Sequence, residues 1–518
     1  MPVGMEQLRN IAVTVVDIPK HFRLEMEDSV PKHHAEERCF IWEDPACDDN
    51  RIEVSLDLET GRLLRLKMDK ADAAGSITEN NKDLLAEAKA AAEAFVTRHH
   101  PEHSKLTWTR VRHDRDRITF TYRAEAGGLP LPDTGCEIAV DHTLNPVSYR
   151  AELEDILYPE YPDIVDQETV RRKLLREIQM KPAIVSLPSS LYLVEEHEPE
   201  DRLVYEPTPD LRFIDAATGE DLHSIDHYVM PESYPLPISS QCIDHFWAFA
   251  PVDADSITTL IDKWEGVLGI DPNRYELDKV KEDEERVFLF YKATGKEEET
   301  EEDGLSADAY MNRKWGNMLR NLTASHRITI EKSTGRLAGF YINTEEPDGP
   351  AALNRGQCWE EAKRFLQTVF PDYGAYLQLE KDKEEDELET RDREFFYLPV
   401  VIRGIPVQHH RVTIIVSTKT GRIKGYMGVS YDYIRMLASG GMRPAIGPEE
   451  ALDIYAKSLR VELKWISERT EDEAGRGYRL VYVPVVHSVK RLASGDEASV
   501  KMRYIDACSG KPVWQRER

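Results

Sequence analysis

Cysteine is scarce: six residues in 518 (Cys39, Cys47, Cys136, Cys242, Cys358, Cys508), scattered and without a Cys-x-x-Cys pair. Such usage excludes a disulfide-framed scaffold and predicts reduced, mostly buried thiols. No apolar run approaches the ~20 residues of a bilayer span, so no membrane helix is expected. Basic charge is in deficit, with 67 Lys and Arg against 95 Asp and Glu, a net charge of −28 at pH 7. A chain this acidic, with no basic patch in its sequence, repels nucleic acid and anionic membranes. Gly-x-Ser-x-Gly, a Walker A loop, a dinucleotide fingerprint and His-Glu-x-x-His are all missing. The start, MPVGMEQLRNIAVTVVDIPKHF, lacks the basic lead and long apolar stretch of a secretory signal and reads as an amphipathic helix. With the thiol usage, that gives the expectation of a cytoplasmic protein, in which the Asn321-Leu322-Thr323 sequon is coincidence.

What the chain does have is 41% hydrophobic and 31% charged residues, enough to fill cores beneath a heavily charged surface. Single cores stop growing near roughly 250–300 residues, so several units are expected. An internal repeat organises them. Ile52-Glu-Val-Ser-Leu-Asp57-Leu-Glu-Thr60-Gly61 returns as Phe213-Ile-Asp215-Ala-Ala-Thr218-Gly219 and as Ile328-Thr-Ile-Glu331-Lys-Ser-Thr334-Gly335. It returns again as Val412–Gly421 and as Tyr504-Ile-Asp506-Ala-Cys-Ser509-Gly510, and in degenerate form as Ile138–Asn145, with Asn145 in the glycine place. Alternation marks a half-buried strand, glycine supplies a positive φ, and the acidic or hydroxyl residue caps the turn. The element is a β-hairpin, used six times.

Amphipathic stripes precede the hairpins: Leu84–Val96, Val170–Ile178, Ile257–Leu268, Trp359–Val369 and Leu452–Leu459. Thr78, Asp166 and Ser256 are candidate caps. A further apolar strand lies between helix and hairpin, as in Ile118–Tyr122, Val287–Tyr291, Phe395–Val401 and Tyr478–Val483. Fold class is therefore α+β: tandem repeats of a helix packed on a small antiparallel sheet. Gly61 to Gly335 is 274 residues, Asn145 to Gly421 is 276 and Gly219 to Gly510 is 291, which makes two triplets. The expected units are 1–75, 76–160, 161–225, 246–348, 349–438 and 439–518, with a linker at 226–245. Pro231, Pro235 and Pro237 mark the seam near His223–Ser240, and Lys296–Asp303 and Glu380–Glu394 read as solvated acidic loops rather than interaction tails.

Helix, strand, then a strand ending in Asp-x-x-Thr-Gly-x-Leu/Ile resembles the PepSY domain, whose helix-on-sheet build is cystatin-like. Arg403-Gly404-Ile405-Pro406-Val407, leading into Val412–Gly421, is similar to the end of PepSY and thermolysin-type propeptide modules; Gly128-Leu129-Pro130-Leu131 repeats it. The serial arrangement resembles the YcdB/YcdC repeated-domain proteins of Gram-positive spore-forming bacteria. Two departures stand out: units one and four lack the Gly-x-Pro phrase, and the first residues are not expected to form a leader, although many PepSY proteins are exported. The resemblance implies non-catalytic modules that bind proteins or peptides and regulate or inhibit peptidases.

No reactive constellation contradicts that. His99, His100 and His103 sit around Pro101 at a helix end, where a solvated terminus explains them better than a metal. His409 and His410 are adjacent in a strand and point to opposite faces. His223, Asp226 and His227 read as polar linker. Trp108, Trp264, Trp315, Trp359 and Trp465 read as core. Arg62, Arg336 and Arg422, each after a turn glycine, read as cross-hairpin ion-pair partners. No catalytic, cofactor-binding or metal residue is assigned, no cofactor is expected, and the expected partner is a protein or peptide, with a peptidase as the candidate the resemblance implies. The alternatives are a structural spore- or cell-associated assembly scaffold, and an enzyme of unrecognised type with its site at residues 223–245.

Overall fold

Helix-period stripes followed by glycine-closed alternating strands fold as their pattern requires, into a mixed α+β protein of two repeated halves, rich in sheet and sparing in helix. The computed structural model describes residues 3–32, 35–69, 82–114, 116–152, 158–194, 199–209, 212–222, 232–236, 251–252, 257–294, 304–311, 313–314, 325–342, 349–381, 391–469, 476–491 and 497–516. Most of the expected seam, Thr78, Ser256, Cys242, Trp315, the sequon, all of Lys296–Asp303 and the middle of Glu380–Glu394 lie outside them.

The first half runs α1 (Met5–Val15), β1 (Arg23–Lys32), β2 (Ala35–Asp44), β3 (Cys47–Asp57), β4 (Leu63–Asp69), α2 (Lys82–His99), β5 (Trp108–His113), β6 (Arg117–Arg123), β7 (Glu125–Ala126), β8 (Leu129–Pro130), β9 (Gly135–Asp141) and β10 (Pro146–Glu152). Separate small sheets were expected for residues 1–75 and 76–160. Instead β4 pairs with β10, and one eight-stranded antiparallel sheet runs β1-β2-β3-β4-β10-β9-β6-β5. Both hairpins end on a free strand of matching pattern, so the edges join rather than stay exposed. Helices α1 and α2 cover one face, burying Leu8, Ala12, Ala88 and Ala92 against Val54, Leu56, Phe120 and Ile138.

Next come α3 (Gln167–Glu177), β11 (Gln179–Ser186), β12 (Tyr192–Leu193), β13 (Asp201–Thr208), β14 (Phe213–Asp215), β15 (Asp221–Leu222) and β16 (Ser233–Pro235). The second half repeats the first with α4 (Ile257–Leu268), β17 (Tyr275–Glu282), β18 (Arg286–Ala293), β19 (Ser325–Glu331), β20 (Leu337–Ile342), α5 (Arg355–Val369), α6 (Tyr373–Tyr376), β21 (Gln378–Glu380), β22 (Arg393–Ile402), β23 (Ile405–Ser417) and β24 (Ile423–Met427). Pairing of β20 with β24 matches that of β4 with β10. The chain closes with α7 (Tyr431–Ser439), α8 (Pro448–Ser458), β25 (Arg460–Arg469), β26 (Arg476–Val485), β27 (His487–Arg491), β28 (Glu497–Asp506) and β29 (Pro512–Arg516).

The third and sixth units exchange strands. Strand β13 does not pair with the hairpin β14–β15 that follows it but with β28, through Val204↔Asp506 and Tyr205↔Ile505. Reciprocally, β14 pairs with β26, through Ile214↔Tyr482 and Asp215↔Val481. Helix α3 packs on β25 and β26, and α8 on β11, β13 and β28. The bonds match: Ala216 N–H donates to Leu480 O and Ala507 N–H to Leu203 O, each at 2.9 Å. Tyr482 Oη–H donates to Val165 O at 2.7 Å and Tyr205 Oη–H to Ile446 O at 3.0 Å. Residues 161–222 and 439–516 are therefore one interlocked pair, and through the β11–β23 contact this pair extends the second half into a 13-stranded sheet.

Five hairpin turns keep their glycine at positive φ: Gly61, Gly219, Gly335, Gly421 and Gly510 lie between 66° and 75°. The sixth differs from expectation. Leu144, not Asn145, carries the positive φ of 65°, because this turn is one residue shorter. Asp141 Oδ1 accepts the N–H of Thr143 at 2.9 Å and of Asn145 at 3.0 Å, holding leucine in a conformation that costs about 1–2 kcal/mol.

Candidate functional site

The two Gly-x-Pro phrases have a defined position. Gly127 and Gly128, and likewise Arg403 and Gly404, all have positive φ, so each phrase begins with a tight reversal. The first arm, β7–β8, lies against β25: Trp465 Nε1–H donates to Ala126 O at 2.9 Å and Ser467 Oγ–H to Asp133 Oδ2 at 2.6 Å. The second lies against β11, with Val407 opposite Ile184 in parallel register and Tyr504 Oη–H donating to Gln408 Oε1 at 2.9 Å. Each arm ties the first two units of its own half to the exchanged pair.

The faces of the sheets turned away from the helices distinguish the halves. Cross-strand partners share a face, so ladder register places side chains in rows. In the first half one row reads Asp28, Cys39, Ser55, Arg65, Arg150, Glu137, Thr121, Arg110. Its neighbour reads Met26, Ile41, Glu53, Lys67, Ser148, Ala139, Thr119, Arg112. These rows are charged and small, and their apolar end is covered. Tyr310 and Ala307, from the second half's β18–β19 connection, pack on Met26, Cys39 and Ile41. Ala307 N–H donates to Asp28 Oδ2 and Lys314 Nζ to Glu43 Oε1, both at 2.7 Å.

In the second half the matching rows read Lys281, Phe288, Thr329, Gly339, Met427, Thr413, Tyr397 and Lys279, Phe290, Arg327, Tyr341, Gly425, Ile415, Phe395. Met427 is 61% exposed, Tyr341 41% and Phe395 39%, and none of the three belongs to a core cluster of buried side chains. Cations interleave the rings. The Arg327 guanidinium lies 5.1 Å from the Phe288 centroid and 5.6 Å from that of Phe290, Arg411 lies 4.4 Å from Tyr397, and Lys281 Nζ lies 5.9 Å from Phe290. Arg393 Nη1 donates to Tyr341 Oη at 3.3 Å. Gly339 and Gly425 leave the floor between the rings shallow. Scattered exposed hydrophobics are ordinary, whereas a contiguous exposed aromatic and methionine face is uncommon.

This face borders an open edge. Strand β17 ends its sheet, and its residues past Tyr275 are exposed. The equivalent β1 is occupied: Glu27 N–H donates to Leu305 O, and Glu25 O accepts from Arg313, both at 2.7 Å. Among the described residues the other open edge of these two repeats is β5, since β21, at the corresponding end of the second half, pairs with β16. On β17, Asp278 and Glu276 sit 3.0 and 3.3 Å from Lys292 Nζ and hold its pKa above the ordinary range.

The residues singled out from sequence lie elsewhere. His100 is buried, with Nε2 3.2 Å from Gly135 O, and His99 packs at 4.4 Å on Phe95. Burial, with a smaller contribution from the Arg98 charge, pushes His99 down to about 4. The expected solvated terminus is thus packed at His99 and His100, while His103 is exposed. His410 stacks on Tyr433 at 4.8 Å while His409 is exposed with φ of 62°, which interrupts the simple alternation assumed for them. Arg336 lies 3.5 Å from the Tyr431 centroid, whereas Arg62 and Arg422 make no ion pair among the described residues; a common cross-hairpin pair is not what places them. Trp264 and Trp465 are buried, as core residues should be. Glu394, assigned to a solvated loop, is buried and paired with Arg355. His223, Asp226 and His227 are outside the described residues. Of the five described cysteines, none is in a disulfide and Cys39, Cys136 and Cys358 are buried. No three His, Cys, Asp or Glu residues gather into a metal-holding group among the described residues.

The aromatic face escaped sequence reading, although its signal was there. Val287-Phe-Leu-Phe-Tyr291 and Phe395-Phe-Tyr-Leu398 are apolar at both parities, so one set of rings must face away from the helices.

Comparison with known proteins agrees with this duplication. The model of the YcdB, YcdC repeated domain matches residues 5–152 and 278–430, the two stretches that build the paired sheets. The chain is 26% identical to the YcdB protein of Bacillus subtilis strain 168 over 543 aligned positions, covering 99% of this chain and 98% of that one. Identity to YcdC of the same strain is 23%, over 93% of this chain and 97% of that protein. Among solved structures, the C-terminal domain of Bacillus megaterium YpeB is similar with a TM-score of 0.27 and 15% identity, covering 42% of this chain and 96% of that domain. The protein belongs to the YcdB, YcdC repeated-domain family.

Proposed function

We propose that the protein is a non-catalytic binding protein built of PepSY-like helix-on-sheet modules, and that its second-half sheet holds an extended segment of a protein partner. One observation carries the reading: the aromatic, methionine and arginine rows of that sheet run up to the open edge β17, whereas the matching first-half edge is already occupied. An edge supplies backbone hydrogen bonds and the adjoining rows supply side-chain contacts, which is the division of labour in strand addition. A regulatory action on peptidases extends this reading: a segment held on the edge is withdrawn from, or presented to, a protease.

A cellulose-bound array of ten-residue peptides of varied sequence, probed with the full chain and with Phe290→Ser/Met427→Ser, tests the binding. A subset retained by the wild type and lost by the variant is expected; no retention, or equal retention by both, refutes it. For the regulatory part, thermolysin-type metallopeptidases are titrated with the chain to micromolar concentration. Unchanged activity removes that part alone.

A further inference from the structure

The two open edges carry the same pattern. On β17, Lys279 and Lys281 lie opposite Phe290 and Phe288 on the face away from the helices, and Val280 lies opposite Leu289 on the helix face. On β5, Arg110 and Arg112 lie opposite Thr121 and Thr119 on the outer face, and Val111 lies opposite Phe120 on the helix face. Each edge thus reads cation, valine, cation in the same orientation, although the chain carries 28 more acids than bases. Both valines are left open, Val280 at 45% and Val111 at 38%, and Leu277 adds a second apolar position on β17 at 38%. Acidic neighbours do not cancel the outer lysines of β17, because Glu276 and Asp278 are engaged by Lys292; on β5, Arg112 Nε donates to Asp114 Oδ2 at 3.3 Å in an exposed pair that an incoming acid must share, so the β5 edge leans on Arg110.

We infer that these edges select an extended peptide in which acidic residues alternate with apolar ones. A strand added along β17 or β5 places alternate side chains on opposite faces. Its acids then stand beside Lys279 and Lys281, or Arg110 and Arg112, and its apolar residues beside Val280 or Val111. Cross-strand pairs of opposite charge and of apolar side chains each favour the pairing. The same cations oppose a second copy of the chain: an antiparallel β17–β17 register centred on Val280 sets lysine opposite lysine.

The inference rests on the strand-addition reading and is tested apart from it. Two fluorescein-labelled ten-residue peptides, one alternating Glu with Val and the other Lys with Val, are titrated with the full chain by anisotropy in 50 mM salt. The Glu–Val peptide is expected to bind on the order of tenfold or more tightly than the Lys–Val peptide, with the advantage shrinking in high salt. Lys279→Glu/Lys281→Glu, combined with Arg110→Glu/Arg112→Glu, is expected to reverse the preference, while alternate N-methylation of the peptide backbone abolishes binding. Equal binding of both peptides overturns the charge selection and leaves strand addition standing. Binding of neither, together with an array that retains nothing, overturns both. If neither binds and the quadruple variant instead dimerises in light scattering, the cations only guard the edge against self-pairing, and the inference fails.

Discussion

Trp465 offers the sharpest test of how the halves are joined. It is 5% exposed, its indole N–H donates to Ala126 O, and its ring meets Tyr161 edge-on at 6.1 Å. It thereby clamps the first-half arm to a strand of the sixth unit. Trp465→Phe keeps most of the apolar bulk but removes the donor, and is expected to weaken the clamp by about 1–2 kcal/mol. Trp465→Ala removes bulk as well and should cost about 3–5 kcal/mol. A chain with several units need not unfold in one step, so the readout is amide exchange by mass spectrometry rather than a global midpoint. At about 1.4 kcal/mol per tenfold, Trp465→Ala should speed exchange of Leu129, paired with Ala126, and of Leu131, whose N–H donates to Ala124 O, by roughly a hundredfold or more. Peptides around Ile184 and Val407, which belong to the other arm, should keep their protection. Unchanged exchange at 127–131, or equal loss at both arms, would refute the clamp.

Two other predictions concern stability. Gly135 has φ of +75°, and an added Cβ would lie 2.2 Å from Tyr122 O; Gly404, at +82°, has nothing within 4 Å of such an atom. Gly135→Ala should therefore lose at least about 3 kcal/mol and Gly404→Ala only about 1 kcal/mol, compared by amide exchange of the strands that flank each glycine; equal losses contradict this. His99 sits at about 4 when folded, below the ordinary 6.5, so its stabilising effect is complete above pH 6.5 and is lost as pH falls toward 4. Burial pushes Asp215 up, but the N–H groups of Thr218 and Ala217 outweigh it and hold the carboxylate below its ordinary range. Its contribution is present above about pH 4 and disappears further down. Amide-exchange protection of α2, corrected for the pH dependence of the intrinsic rate, should diverge between the wild type and His99→Leu from pH 7 to 5, the wild type losing more; parallel curves contradict the assignment.

Local pattern was legible in the residues. The stripes at Val170–Ile178 and Trp359–Val369 are helices α3 and α5, Asp166 caps α3 by accepting the Thr169 N–H at 2.9 Å, and the five glycine turns close hairpins. Partner choice was not legible. The strands of all six units have the same period and similar composition, so nothing local tells β13 to pass over Phe213–Asp215 and join Glu497–Asp506, 291 residues away for Asp215 and its counterpart Asp506. The aromatic face was half legible. Phe40-Ile41-Trp42 and Val287–Tyr291 are equally unbroken apolar runs, yet Ile41 lies under Tyr310 whereas Phe290, among the described residues, has Arg327 and Lys281 as its ring and cation neighbours. Which run is covered depends on where a distant connection lands, and periodicity carries no such information.

Because the third and sixth units hold each other's strands, the covalent link between the halves does little to keep them together. Severing the chain between residues 236 and 251 would leave two polypeptides clasped through α3 on β25–β26 and α8 on β11–β13, migrating as one particle until denatured. Neither product could be prepared alone with its last unit properly closed. The smallest piece of this protein that can be expected to behave like the whole is nearly the whole.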